Sequence, residues 1–246
     1  MQQILQSVLI GLGILAPALF TTGAAAQTMS DAPAVHEPLV GHVLFDQFEY
    51  RVQDGKDVIA WDGQAWYGGD YHKVFVKTLG EISGGDDVEH AEIQLLYSRL
   101  IGHFWDVQGG VRYDVRPDPS RTYGVIGLQG LAPGFFELDL QGFVSNKGDI
   151  SARLEAEYDI LITQRLVLQP KAEINLAVQD VRELGVGSGV NDVELGLRLR
   201  YEIRREFAPY IGVHWERKLG KTADFARDEN ESVDDLSFVA GVRFWF

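Results

Sequence analysis

From residue 42 onward the chain alternates apolar and polar residues with a period of two, breaks at a polar turn and starts again, twelve times over. DISARLEAEYDI is the clearest case. Ile150, Ala152, Leu154, Ala156, Tyr158 and Ile160 fall on one face, and Asp149, Ser151, Arg153, Glu155, Glu157 and Asp159 on the other. NDVELGLRLRYE repeats the pattern, with Val193, Leu195, Leu197, Leu199 and Tyr201 set against Asp192, Glu194, Arg198, Arg200 and Glu202. A helix would spread these sets around its circumference, whereas a strand sends them to opposite faces. The runs predict strands near 42–52, 58–67, 72–80, 88–99, 104–116, 121–131, 135–145, 149–162, 165–178, 191–203, 207–219 and 236–246.

The last run, FVAGVRFWF, asks what covers the apolar face. Phe238, Ala240, Val242, Phe244 and Phe246 share one side, so apolar residues continue to the final position. Lipid is the expected partner, and a terminal Phe after alternating residues resembles an outer-membrane assembly signal. An even number of strands of about ten residues, with aromatics such as Tyr67, Tyr97, Tyr113, Trp215 and Phe246 at their ends, fits a membrane barrel. A soluble barrel or sandwich would also alternate, but with its charges spread over the outside. The connections ITQR, IRRE and GLAPG are tight, whereas GEISGGDDVE, QDVRELGVGSG and LGKTADFARDENESVDD are long and polar. Short periplasmic turns opposite long external loops put both termini in the periplasm.

Residues 4–20, ILQSVLIGLGILAPALF, are apolar apart from Gln6 and Ser7, and Ala24 and Ala26 have small-x-small cleavage spacing. They read as a secretory signal, although the leading MQQ lacks Lys and Arg; an uncleaved anchor would need a longer run. The expected organisation is a signal peptide over 1–26, a short periplasmic tail over 27–41 and an all-β, antiparallel transmembrane β-barrel of about 12 strands over 42–246. No later segment reaches the length of a membrane-spanning helix, so a closed barrel is the way such a chain enters lipid.

With 22 Lys and Arg against 36 Asp and Glu, the chain is acidic, which argues against a nucleic-acid partner and suits cations. There is no cysteine, so neither disulfides nor thiolate chemistry is available. If the apolar face meets lipid, parity sends His90, Glu92, Arg112, Asp114, Arg153, Glu155, Lys171, Glu173, Glu194, Arg198, His214, Glu216 and Arg243 among others into the lumen. Two readings follow: an ion-pair network filling the bore, or a cation path favoured by the acidic surplus near 135–162. Of six histidines, only His90 and His214 fall inside by parity, each two residues before an acid, Glu92 and Glu216. Catalysis is not expected, because no GxSxG or HExxH occurs, and Ser98 and His90 are eight residues apart on one strand.

The strings WDGQAWYGGDYHKVFVKTLGE, AEIQLLYSRLIGHFWDVQGGVRYD, QGLAPGFFELD, RLEAEYDILITQRLVLQP and ELGLRLRYEIRREFAPYIGVHWERKLGKTADFAR together resemble the copper resistance protein B family, from about Leu44 to Phe246. The resemblance implies an outer-membrane barrel, embedded among outer-membrane lipids, that binds copper ions as Cu(I) or Cu(II) and confers tolerance by sequestration or export. It also implies periplasmic copper-detoxification proteins as partners. Many members carry a long Met- and His-rich segment before the barrel, where thioether and imidazole suit copper. Here the segment is QTMSDAPAVHEPLVGH, with only Met29, His36 and His42. The candidate metal residues are therefore Met29, His36, His42, His90 and His214, with the tail as entry and His214, then His90, further along.

Overall fold

A computed structural model describes residues 38–53, 57–84 and 87–246. The expected signal peptide over 1–26 and the tail residues Met29 and His36 lie outside the described residues. The strands are β1 (Val40–Val52), β2 (Val58–Gly68), β3 (His72–Ser83), β4 (Asp87–Leu100), β5 (Trp105–Arg116), β6 (Arg121–Ala132) and β7 (Phe136–Ser145). They continue with β8 (Ile150–Glu157), β9 (Ile160–Leu161), β10 (Leu166–Ala177), β11 (Gly189–Tyr201), β12 (Phe207–Lys218) and β13 (Asp234–Trp245). The two-residue β9 continues the line of β8 past Tyr158 and Asp159, and both pair with β10, so the barrel has twelve staves. Each stave pairs antiparallel with its sequence neighbour, and β1 closes the sheet against β13 through pairs such as Tyr50↔Ala240. Closure leaves no free edge, the condition a sheet must meet in lipid.

Burial runs opposite to that of a soluble domain. On β1, Phe48 is 49% exposed while Glu49 beside it is 2% exposed. The same inversion recurs on β4, where Ile93, Leu95 and Tyr97 face out and Glu92, Gln94 and Ser98 are buried. Charge inside and hydrocarbon outside is the arrangement a lipid-facing barrel requires. No helix among the described residues is long and apolar enough to cross a membrane.

The lumen is not wholly ionic. Phe75, Leu96, Tyr123, Val125 and Phe143, with Trp66 against them, form an apolar cluster inside the wall of β3–β7. Phe143 lies beneath two guanidinium groups, Arg112 at 4.8 Å and Arg153 at 5.9 Å from its ring centre. Aromatic and cationic groups thus share the bore.

At the end where β1 begins and β13 finishes, connections are short: residues 69–71, 101–104, 133–135, 162–165 and 202–206. At the other end only 178–188 and 219–233 are long, and GEISGGDDVE is mostly strand, with β3 running to Ser83 and β4 starting at Asp87. The loop 219–233 contains helix α1 (Gly220–Asp228), which buries Thr222, Ala223 and Ala226. Thr222 accepts a hydrogen bond from the Gly187 amide at 2.9 Å, and Arg182 lies over the Phe225 ring at 5.1 Å, so the two long loops are stapled together.

Candidate metal-handling lumen

Two buried carboxylates organise the polar interior. Glu49 accepts hydrogen bonds from Arg198 Nε and Nη2 at 2.9 and 2.8 Å, from Arg51 Nε at 2.8 Å and from the Tyr210 hydroxyl at 3.0 Å. Gly241 permits this convergence, since a Cβ there would come within 2.7 Å of Glu49 Cβ and the Tyr210 ring. Across the bore, Glu92 is gripped by Arg112 at 2.7 Å and by both Nη atoms of Arg153 at 2.9 and 3.2 Å, and Gln94 donates to it at 2.9 Å. Charges this deep persist only with such paired, hydrogen-bonded neighbours. Lys171 collects Glu155, Glu157 and Asp62 at 3.0, 3.2 and 3.3 Å. The parity expectation of an ion-pair network therefore holds, but it omitted Glu49, Arg51 and Asp62, which β1 and β2 contribute.

His214, on β12, is buried and meets Arg51 Nη1 at 3.3 Å through its Nε2. Its acidic neighbour is Glu194 on β11 at 3.7 Å, rather than Glu216 two residues along its own strand. His90, on β4, lies 3.8 Å from Glu92, as its spacing suggested. The two histidines stand on different walls yet line one cavity of about 230 Å³, together with Glu173, Glu194 and Glu216. His42 also belongs inside, contrary to the parity expectation. It is registered opposite Trp66 and packs its ring between Trp66 (6.0 Å) and Trp245 (5.4 Å) at the mouth where the barrel begins. The parity slips because β1 shifts register between Phe45 and Gln47, which puts Asp46 and Gln47 both inward. Among the other histidines, His72 shares a 2.5 Å hydrogen bond with the Tyr97 hydroxyl on the outer surface, and His103 lies in the connection 101–104.

Among the described residues, no group of three His, Asp or Glu side chains is placed to hold a metal ion. His214 Nε2 lies between Arg51 Nη1 at 3.3 Å and Glu194 at 3.7 Å. The described residues of the candidate set, His42, His90 and His214, are therefore not gathered into one cluster, although imidazole is a donor that suits copper.

Outside the membrane-spanning strands, the loop 178–188 carries its own ion pairs. Asp180 accepts from Lys221 Nζ and from the Ser188 amide, both at 2.7 Å, and these bonds lower its carboxyl to about 2. Lys147 and Arg121 likewise hold the Glu183 carboxyl below its usual range.

Comparison with known proteins decides the family. The family model for copper resistance protein B precursor (CopB) matches residues 39–246. The chain is 48% identical to copper resistance protein B of Escherichia coli over 214 residues, which is 87% of this chain and 72% of that protein. The chain belongs to the copper resistance protein B family. A second relative, the copper resistance protein B homolog of Pseudomonas syringae pv. tomato, is 39% identical over 224 residues, 91% of this chain and 76% of that one. Membership implies a role in copper resistance. Among solved structures, the NanC porin superposes with a TM-score of 0.52 at 13% identity. The KdgM porin in complex with disordered oligogalacturonate does so with 0.51 at 10% identity, and each covers 83% of this chain and 99% of its own. These likenesses show the barrel fold alone. With the copper resistance relatives and the inverted burial, they make this CopB-family chain an outer-membrane barrel.

Proposed function

We propose that this CopB-family barrel binds copper ions directly and contributes to resistance by sequestering or exporting them, with copper entering through the tail. In this reading Met29, His36 and His42 receive the ion on the periplasmic side, and it moves inward to His214 and then His90. The supporting observation is that His214 and His90 face a common cavity while His42 stands at the mouth where β1 begins. An extended tail over 27–41 spans about 50 Å of contour, enough to fold into that mouth. Periplasmic copper-detoxification proteins are the natural source or recipient of the ion, and in this reading the role is binding rather than catalysis.

The test is a copper titration of the purified mature protein beside a deletion of residues 27–41 and a His90→Ala/His214→Ala double variant. Loss of tolerance in the deletion with retained assembly supports the tail as entry. Unchanged binding and tolerance in both variants removes these histidines from the mechanism. A second reading, a general cation-conducting barrel with an indirect copper role, is favoured by the carboxylates Glu173, Glu194 and Glu216 that line the same cavity.

A further inference from the structure

Strand register aligns carboxylates that lie far apart in the sequence. Asp106 on β5 is opposite Gln129 on β6, and Gln129 is opposite Asp139 on β7. Asp139 is opposite Glu155 on β8, and Glu155 is opposite Glu173 on β10. Glu173 is opposite Glu194 on β11, Glu194 opposite Glu216 on β12, and Glu216 opposite Asp235 on β13. All share the inward parity, so one continuous row of lumenal rungs crosses eight strands with seven carboxylates and one amide. Like charges directly opposite one another on neighbouring strands are destabilising, so a row of them needs a reason.

The row also leads somewhere. In a closed barrel the strands tilt by about 35–45°, so a line followed across the strands climbs from one rim toward the other. Asp106 is the second residue of β5, which starts at the rim holding the chain end. Asp235 is the second residue of β13, which starts at the opposite rim, beneath the long loops. Rungs are spaced by the distance between strands, about 4.8 Å. The row passes through two cavities: one of about 420 Å³ lined by Asp106, Gln129, Asp139 and Glu155, and the cavity of about 230 Å³ lined by Glu173, Glu194 and Glu216.

Neutralisation along the row is graded. Lys77 meets Asp139 at 2.7 Å, Lys171 meets Glu155 at 3.0 Å and Arg153 meets Glu173 at 3.1 Å. Lys73 reaches Asp106 at 3.8 Å, and among the described residues Glu194 pairs with His214 alone, at 3.7 Å. Glu216 and Asp235 form no ion pair among the described residues. A second and independent sign comes from the lower rungs. Asp106 Oδ1, Asp139 Oδ1 and Gln108 Oε1 are buried acceptor oxygens without a hydrogen-bond partner among the described residues. Gln108, itself 2% exposed, donates a hydrogen bond of 2.7 Å from its Nε2 to Oε1 of the Gln129 rung. Buried oxygens without donors are what a cation replaces water upon.

We propose that this row is a path for small cations through the barrel, a succession of weak oxygen sites from Asp106 to Asp235 that serves monovalent and divalent ions alike. Conduction requires sites an ion can leave, and oxygen donors spaced one strand apart are such sites. The proposal rests on the reading that the lumen handles cations, and not on the relay through histidines.

The experiment is single-channel recording of the purified mature protein in a planar bilayer under a potassium chloride gradient, beside Glu194→Gln/Glu216→Gln and a Glu183→Gln control in the loop. The expected result is a cation-selective reversal potential in the parent and the control, and a cation-to-anion permeability ratio lowered about threefold or more in the double variant. Mobility before and after boiling confirms that each variant is folded. Absence of current, anion selectivity in the parent, or equal ratios in the double variant and the control overturns the path. Copper titration of the same samples separates the two proposals. Cation selectivity without copper binding removes direct copper binding and leaves the path, whereas copper binding without cation-selective current removes the path alone.

Discussion

Glu92 and Glu216 are both inward carboxylates of the same barrel, yet they have opposite company. Glu92 sits between two guanidinium groups and a glutamine amide, with every oxygen engaged. Glu216 lies opposite Glu194 on one side and Asp235 on the other, with no ion pair among the described residues. The same contrast divides the lumen. The Glu49 and Glu92 clusters bolt staves together, β1 to β11, and β4 to its neighbour β5 and to the more distant β8. Glu216 and Asp235, on β12 and β13, take no part in such bolts among the described residues. A fully clamped carboxylate offers little to a passing ion and an unclamped one adds little to the fold, so along the proposed path Glu216 and Asp235 should matter least to stability.

The largest expected effect tests that division directly. Glu92→Gln leaves Arg112 and Arg153 facing each other in the bore without their shared anion, which should cost about 3–5 kcal/mol. Glu216→Gln relieves a like-charge contact and should change stability by no more than about 0.5 kcal/mol. Urea unfolding of the two variants in lipid vesicles measures both. Comparable losses would mean that Glu216 is held as firmly as Glu92 and would erase the distinction.

The same comparison can be sharpened across the wall of one strand. Leu154 points outward and Glu155 inward. Leu154→Arg places a charge on the lipid face near mid-strand and should cost about 2–4 kcal/mol, with poor assembly in the outer membrane. Glu155→Gln keeps the lumen polar and should assemble much more readily. The fraction of each variant that shifts mobility on boiling is the measure; equal impairment would reverse the facing assignment.

Why the sequence showed the wall but not the wiring follows from what each depends on. Alternation is local, so the run near 42–52 anticipates Val40–Val52 and the run near 121–131 anticipates Arg121–Ala132. Inward placement of Glu92, Arg153, Glu194 and His214 followed from the same parity. It failed where the backbone breaks step. The register shift at Asp46 turns Glu49 and Arg51 inward and hides the foremost clamp from a single parity. The irregularity between Glu81 and Ile82 and the glycines beside it disguise strand as loop in GEISGGDDVE. Partner choice was out of reach for another reason. His214 meets Glu194 and Arg51, and Asp106 and Asp235 end one row, only because strand register brings them together. Register depends on neighbouring strands and on closure, which no single segment encodes. The Met29 and His36 expectation lies outside the described residues and remains with the proposed entry route.

The smallest effect lies outside the membrane, where a clamped carboxylate can be compared with Glu92 in water. Asp180 is held by Lys221 and the Ser188 amide, which bring its carboxyl to about 2, and Lys221 opens helix α1 beside it. Because the folded value lies below the ordinary carboxylate value of about 3.9, the staple is fully present above that pH and fades as the pH falls toward about 2. The group is exposed, so solvent and salt weaken the contact, and the consequence should be local opening of loops 178–188 and 219–233 with the barrel intact. Hydrogen exchange in the two loops, followed from pH ~5 to ~2 and corrected for intrinsic rates, should show protection falling over that interval at low salt. Lys221→Ala should lower protection at the upper end and flatten the dependence. If the variant kept the parent's pH profile, the Asp180–Lys221 pair would not be what ties the two loops together, and the Thr222 hydroxyl and the Arg182–Phe225 contact would carry the staple instead.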